Sequence, residues 1–128
     1  MASIGDYMTK NPRTIRDDQS IDEARRLMAD FNIRHLVVLS GADLAGIVSQ
    51  RDLDAIQRGC HLDESALSVH EAMMPVTYRV KVTAPLRDVA AQMAERRIGS
   101  ALVVDEGDKC VGLFTTVDAL RALSRLAS

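Results

Sequence analysis

GIVSQRDL, residues 46–53, is answered sixty-six positions later by GLFTTVDAL, residues 112–120. Both read glycine, two apolar residues, a hydroxyl, two free positions and an aspartate. A hydroxyl three residues ahead of an acid is a helix-start pattern: the hydroxyl accepts an orphan amide of the first turn, and the carboxylate reaches back to the cap. One such phrase is a weak signal. Two of them ask whether the whole chain is a duplication.

The surrounding residues say that it is. SIGDYM (3–8) aligns with SVHEAM (68–73), and at the same offset Ile15 falls on Val80, Ile21 on Leu86, Met28 on Met93 and Ile33 on Ile98. HLVVL (35–39) falls on SALVV (100–104). One extra residue in the second copy's loop then moves the offset to sixty-six, so that Gly46, Ser49 and Asp52 meet Gly112, Thr115 and Asp118. A register that holds across nearly the whole chain marks an internal repeat.

Each copy carries the same order of elements. Ser20-Ile21-Asp22-Glu23 reads as a capping box, followed by Ile21, Ala24, Leu27, Met28 and Phe31 at helical spacing. The second copy opens this helix with Pro85, preset for a first helical turn, and continues with Leu86, Val89, Ala90 and Met93. Short aliphatic runs (35–39 and 101–104) predict buried strands. Turn residues follow (40–43 and 105–108), then second strands over Leu44–Val48 and Cys110–Phe114, then helices over about 50–58 and 116–126. With short extended pieces near Thr14-Ile15 and Val80-Lys81-Val82, the expected fold class is α/β (α+β), with β-α-β-β-α written twice. The repeats span residues 3–58 and 68–126, joined by a partly helical connector over 59–67. A unit of about 60 residues is marginal alone, so the two copies are expected to share a core.

Composition narrows the function classes. Hydrophobic residues make up 47% of the 128, yet aromatics are only 3%, so the core is aliphatic. A formal charge of −2 with scattered basic residues argues against a nucleic-acid binder, which shows a strongly basic face. No apolar run approaches the roughly 20 residues of a membrane span, and MASIGDYMTK lacks a signal-peptide stretch, so a cytoplasmic protein is the expectation. Cys60 and Cys110 form no CxxC pair and no disulfide framework; Cys110 reads as a small hydrophobe in a strand. Cys60 beside His61 lacks a second ligand at zinc-like spacing, and His61 and His70 read as surface residues. No nucleophile–base pair, P-loop or metal cluster is legible, so the chain is not expected to be an enzyme.

The motifs SIGDYMTKNPRTI, IRHLVVL and GIVSQRDL, with SVHEAMMPVTYRV, IGSALVV and GLFTTVDAL in the second copy, resemble the CBS (cystathionine-beta-synthase) domain. The chain is similar to a stand-alone tandem pair, or Bateman module, over residues 3–126. The resemblance implies two repeats related by a pseudo-two-fold axis, with clefts between them for an adenosine-containing ligand: AMP, ADP, ATP or S-adenosylmethionine. No catalytic cofactor and no metal is implied. Residue by residue, Asp52 with Ser49 would serve one cleft, and Asp118 with Thr115 the other. Carboxylates suit the two hydroxyls of a ribose, and a hydroxyl-bearing helix start suits a phosphate. Ile15 and Val80 would wall the adenine slots.

Basic residues separate the copies. Arg34 and His35 precede the first strand, where family members direct cations at a ligand phosphate, but the second copy has Gly99 and Ser100. Arg51 inside the first phrase is matched by Val117. Across the implied axis Arg34 and His35 would serve the ligand of Asp118, so that cleft is expected to prefer phosphorylated adenosine. The function implied is a regulatory sensor that signals to an effector protein. The alternative is a dimerisation or interaction module that no longer binds ligand, against which the intact Asp52 and Asp118 speak. The apolar face of ALRALSRLA (119–127) predicts a homodimer.

Overall fold

The computed structural model of the chain describes residues 2–59, 63–75 and 78–127. Mixed α/β architecture is present, with two four-stranded sheets and, among the described residues, five α-helices. The compact units do not follow the sequence copies. One comprises Arg13–Val76; the other joins Met1–Pro12 to Thr77–Ser128.

In the Arg13–Val76 unit, β2 (Thr14–Arg16) pairs in parallel with β3 (His35–Ser40), and α1 (Ile21–Phe31) makes the crossover. A tight turn with Gly41 at φ 62° leads into β4 (Asp43–Ser49), antiparallel to β3, and α2 (Gln50–Gly59) follows. The edge strand β5 (Met74–Pro75) belongs to the opening of the second copy, as does the short helix α3 (Val69–Ala72). In the other unit β6 (Arg79–Lys81), α4 (Leu86–Arg96), β7 (Ser100–Val104), β8 (Cys110–Thr115) and α5 (Thr116–Leu126) repeat the plan. Its edge strand is β1 (Thr9–Lys10), from the opening of the first copy. The sheet orders are β2-β3-β4-β5 and β1-β8-β7-β6.

Identical backbone bonds hold the exchanged segments. The Ile4 amide donates to Ala84 O at 2.8 Å and Gly5 N to Val82 O at 3.0 Å; at the matching positions Val69 N donates to Gln19 O at 2.8 Å and His70 N to Asp17 O at 3.0 Å. Ile4 and Val69 are fully buried, one in each core. Burying such a side chain contributes about 1.5–3 kcal/mol. Short strands of two residues thus stay docked because an apolar anchor precedes each.

Local departures from the sequence reading have simple causes. Ser20 accepts the Glu23 amide at 3.2 Å, but the Glu23 carboxylate pairs with Arg26 one turn on rather than reaching back, so only half of that capping box forms. Pro85 is the extended residue ahead of α4 (ψ 132°), not its first helical residue, because it forms an antiparallel bridge with Ser3 while Ala84 O accepts the Ile4 amide. Phe31 is exposed and lies under the Arg13 guanidinium, 3.7 Å from the ring centroid, instead of joining the core stripe. Both hairpins bulge, at Val38/Leu39 and Val103/Val104. The longer second turn is held by Asp105 Oδ1, which accepts from the Gly107 and Lys109 amides at 2.9 and 3.0 Å. Of the connector, the described part holds a 3₁₀ turn at Glu64–Ala66, whereas Cys60 and His61 lie outside the described residues. His70 is exposed, its Nδ1 3.6 Å from Asp17 Oδ2.

Candidate functional site

Both repeated phrases end a strand and open a helix, as an [ST]-x-x-[DE] start demands. At β4–α2, Asp52 Oδ2 accepts the Ser49 amide at 2.8 Å, and Ser49 Oγ accepts the Asp52 amide at 3.1 Å. At β8–α5, Asp118 Oδ2 accepts the Thr115 amide at 3.0 Å, and Thr115 Oγ1 accepts the Asp118 amide at 3.4 Å. The helix-cap role of all four residues is therefore real in both copies.

The glycines of the phrase answer to the exchanged segments. A Cβ at Gly46 would overlap the Met74 carbonyl and crowd Met73 Sδ; one at Gly112 would overlap the Met8 side chain. Each glycine lets an opening methionine and its edge strand close over the middle of the sheet.

The two acids differ in what else reaches them. Asp118 is 4% exposed, and the Thr9 hydroxyl donates to its carboxylate, 3.1 Å from Oδ1 and 3.2 Å from Oδ2. Thr115 Oγ1 lies 3.3 Å from Oδ2, and Arg121 Nη1 stands 3.8 Å from Oδ1. Asp52 is half-buried, and its Oδ1 has no hydrogen-bond partner among the described residues. The position matching Thr9 is Met74, which pairs with Ile47 as Thr9 pairs with Leu113. Sequence reading missed Thr9, although the alignment of SIGDYMT with SVHEAMM held the signal: a hydroxyl against a thioether.

The basic residues sit beside the first phrase within the same unit. His35 lies opposite Ser49 across the β3–β4 ladder, and the Gln50 amide donates to Arg34 O at 3.0 Å. Arg34 is exposed and, with Arg25, Met28, Asn32, Ile33 and Gln50, lines a pocket of mixed polarity of about 390 Å³. Ser100 and Gly99 hold the matching places beside Thr115 and Thr116. Arg25 is committed: its Nε lies 2.7 Å from Glu64 Oε1 and its Nη2 3.0 Å from Asp54 Oδ1. Its hydrogen bond to Glu64 raises the guanidinium pKa further above its ordinary value. Arg51 is exposed on α2. Ile15 is buried in the core of its unit, and Val80 is half-buried against the core of the other.

A surface of different character lies on α4 and α5. Val117, Leu120, Leu123 and Leu126 are exposed, and an apolar groove of about 330 Å³ runs beside them between Leu86, Ala90, Ala119 and Ala122. Among the described residues no three His, Cys, Asp or Glu side chains could hold a metal ion, and no helix is long and apolar enough to cross a membrane.

Comparison with known proteins agrees with the duplication. The CBS domain family matches residues 4–58 and again 69–125. The structure of CBSX2 in complex with AMP superposes with a TM-score of 0.76 at 25% identity, covering 100% of both chains. The CBS domain pair of protein MJ0100, in complex with 5′-methylthioadenosine and S-adenosyl-L-methionine, gives a TM-score of 0.82 at 25% identity over 98% of each chain. Homoserine O-acetyltransferase of Methanocorpusculum labreanum is 32% identical over 115 residues, which are 89% of this chain. The chain spans only 23% of that enzyme's length, and 22–39% for the next three curated relatives.

Proposed function

This chain belongs to the CBS domain family, and from that premise we propose that it is a regulatory module that binds an adenosine-containing ligand and signals to an effector protein. The observation that carries the reading is the carboxylate of Asp52. One oxygen is fixed by the Ser49 amide, and the other is left without a hydrogen-bond partner among the described residues, at the start of α2. A carboxylate so oriented can accept from ribose hydroxyls, while Arg34 beside the same phrase offers charge to a phosphate and His35 stands next to it in sequence. The relatives solved with AMP and with S-adenosylmethionine support the ligand class. Ser49, Asp52, Thr115 and Asp118 are proposed to frame the two ligand positions, with Ile15 and Val80 at the adenine and Arg51 in support. Chemistry on the ligand is no part of the proposal, and its place of action is the cytoplasm, where such metabolites circulate.

Isothermal calorimetry with AMP, ADP, ATP and S-adenosylmethionine tests the reading, together with intact-mass analysis of what co-purifies. A ligand at a hundred times its dissociation constant should add about 2.7 kcal/mol of stability if it binds only the folded chain. The alternative, a dimerisation module without ligand, draws support from the two caps, which account for both acids by themselves, and from the apolar face of α5. Titrations without heat or thermal shift for any of the four ligands would favour it.

A further inference from the structure

The two acids are chemically the same and stand at matching positions, and each accepts the amide of its own phrase, yet only Asp118 also accepts a hydroxyl from another strand. We propose that Thr9 decides which of them is open: its hydroxyl takes the place at Asp118 that a ligand hydroxyl would take, so the Asp52 phrase is the primary ligand position. This inference rests on the ligand-binding reading above, and it reverses the preference for Asp118 that the basic residues suggest in the sequence alone.

The geometry of Asp118 leaves little to offer. A carboxylate has about four acceptor positions. At Asp118 the Thr115 amide and hydroxyl engage Oδ2, and the Thr9 hydroxyl spreads its hydrogen over both oxygens. The group is also 4% exposed. A ribose diol, which needs both oxygens, must therefore displace Thr9. Thr9 belongs to β1, which is two residues long, with Thr9 opposite Leu113, Lys10 opposite Gly112, and the Asn11 amide donating to Val111 O at 3.2 Å just beyond it. Such a strand can be lifted at modest free-energy cost, and lifting it frees Met8 from Gly112 as well. Binding at Asp118 would thus be coupled to release of the chain's opening segment. At Asp52 the matching residue is Met74, whose side chain has no O–H to donate, and 59% of whose surface is exposed. Among the described residues no side-chain hydroxyl reaches the Asp52 carboxylate to compete with a ligand hydroxyl.

The test is AMP titration by calorimetry into the wild type and into Thr9→Val, Thr9→Ser, Asp52→Asn and Asp118→Asn. The wild type should bind one AMP per chain, and that binding should be lost in Asp52→Asn. Thr9→Val should open a second position or tighten AMP by about tenfold, the scale of a hydrogen bond to a charged group. That gain should vanish when Asp118→Asn is added, and Thr9→Ser, which keeps the hydroxyl, should behave as the wild type. Wild-type binding that survives Asp52→Asn and is lost in Asp118→Asn would overturn the inference, as would Thr9→Val without effect on AMP. Urea unfolding of Thr9→Val, Asp118→Asn and the double variant reads the contact without ligand; additive losses would also overturn it. A complete lack of AMP binding in every protein would instead end the ligand reading and this inference with it.

Discussion

Met8 lies across Gly112 so closely that a Cβ on the glycine would overlap its thioether. The matching pair, Met73 and Gly46, belongs to the other unit. Each relationship joins the opening of one sequence copy to the repeated phrase of the other. The glycine of the phrase is thus a packing residue, and the two copies are bound to each other covalently and sterically.

Gly46→Ala and Gly112→Ala should differ in cost. At Gly46 the nearest obstacle is the Met74 carbonyl, which cannot move without β5, whereas at Gly112 every obstacle is the flexible side chain of Met8. Overpacking of this kind costs about 1–3 kcal/mol. Gly46→Ala is expected near the top of that range and Gly112→Ala near the bottom, by urea unfolding. Adding Met8→Ala should make Gly112→Ala almost neutral; an unchanged penalty in the double variant would show that Met8 is not the obstacle.

Arg25 ties α1 to the connector through Glu64 and to α2 through Asp54. Glu64 is 14% exposed, so neutralising it leaves a sheltered guanidinium with one carboxylate instead of two. Glu64→Gln should cost about 1–2 kcal/mol, between the values for exposed and buried pairs. Asp18→Asn breaks the solvent-facing pair with Arg16 and should change stability by less than about 0.5 kcal/mol. Amide exchange of residues 63–67 should quicken in Glu64→Gln only. Equal effects of the two substitutions would count against a structural role for the Arg25–Glu64 pair.

Much of this fold was legible because its signals are local. Capping at Ser49 and Thr115, the period of Ile21, Ala24 and Met28, and the aliphatic runs of β3 and β7 each need only a few neighbouring residues. The exchange of opening segments was not legible. SIGDYM and SVHEAM look the same whichever sheet they join, since the anchors Ile4 and Val69 are equally apolar and the bonds they make are to backbone. For the same reason Thr9 passed unnoticed: its partner Asp118 is 109 positions away. Residue types suggested what Asp52 and Asp118 could bind, but only the fold shows which carboxylate already holds a hydroxyl.

Cys110 should make the fold slightly less stable in alkali. Burial raises its thiol pKa, against smaller opposing effects of a backbone hydrogen bond with Gly112 and of Arg79. Because the folded thiol holds its proton to higher pH than the unfolded one, the unfolded chain binds fewer protons above the ordinary thiol range. Stability is then full below that range and falls as pH rises through it. In a Cys60→Ser background, urea midpoints measured from pH 7 to 10 should decline, and Cys110→Ala should flatten the alkaline part of that decline. Alkylation of the native protein should be slow compared with the same chain in urea. Fast native alkylation, or an alkaline slope unchanged in Cys110→Ala, would contradict the burial argument.

The helix faces of the two copies predict how copies of the chain meet. Val117, Leu120 and Leu123 on α5 correspond to Arg51, Asp54 and Gln57 on α2. Leu120 and Leu123 are 66% and 62% exposed, beside an apolar groove. On the α2 side Arg25 stands where α4 carries Ala90 and is paired with Glu64, so that face is charged. A self-complementary apolar face favours an isologous two-fold contact through α5, with the α2 face left to water or to weaker polar contact. Light scattering at micromolar concentration should therefore give twice the 14.0 kDa chain mass. Leu123→Glu places a charge in the middle of the proposed contact and should shift the particle toward monomer by at least tenfold in dissociation constant, the factor that about 1.4 kcal/mol of lost contact energy supplies. Gln57→Glu, at the matching place on α2, should leave the mass unchanged. A wild-type particle of 14.0 kDa, or a dimer insensitive to Leu123→Glu but split by Gln57→Glu, would move the contact away from α5.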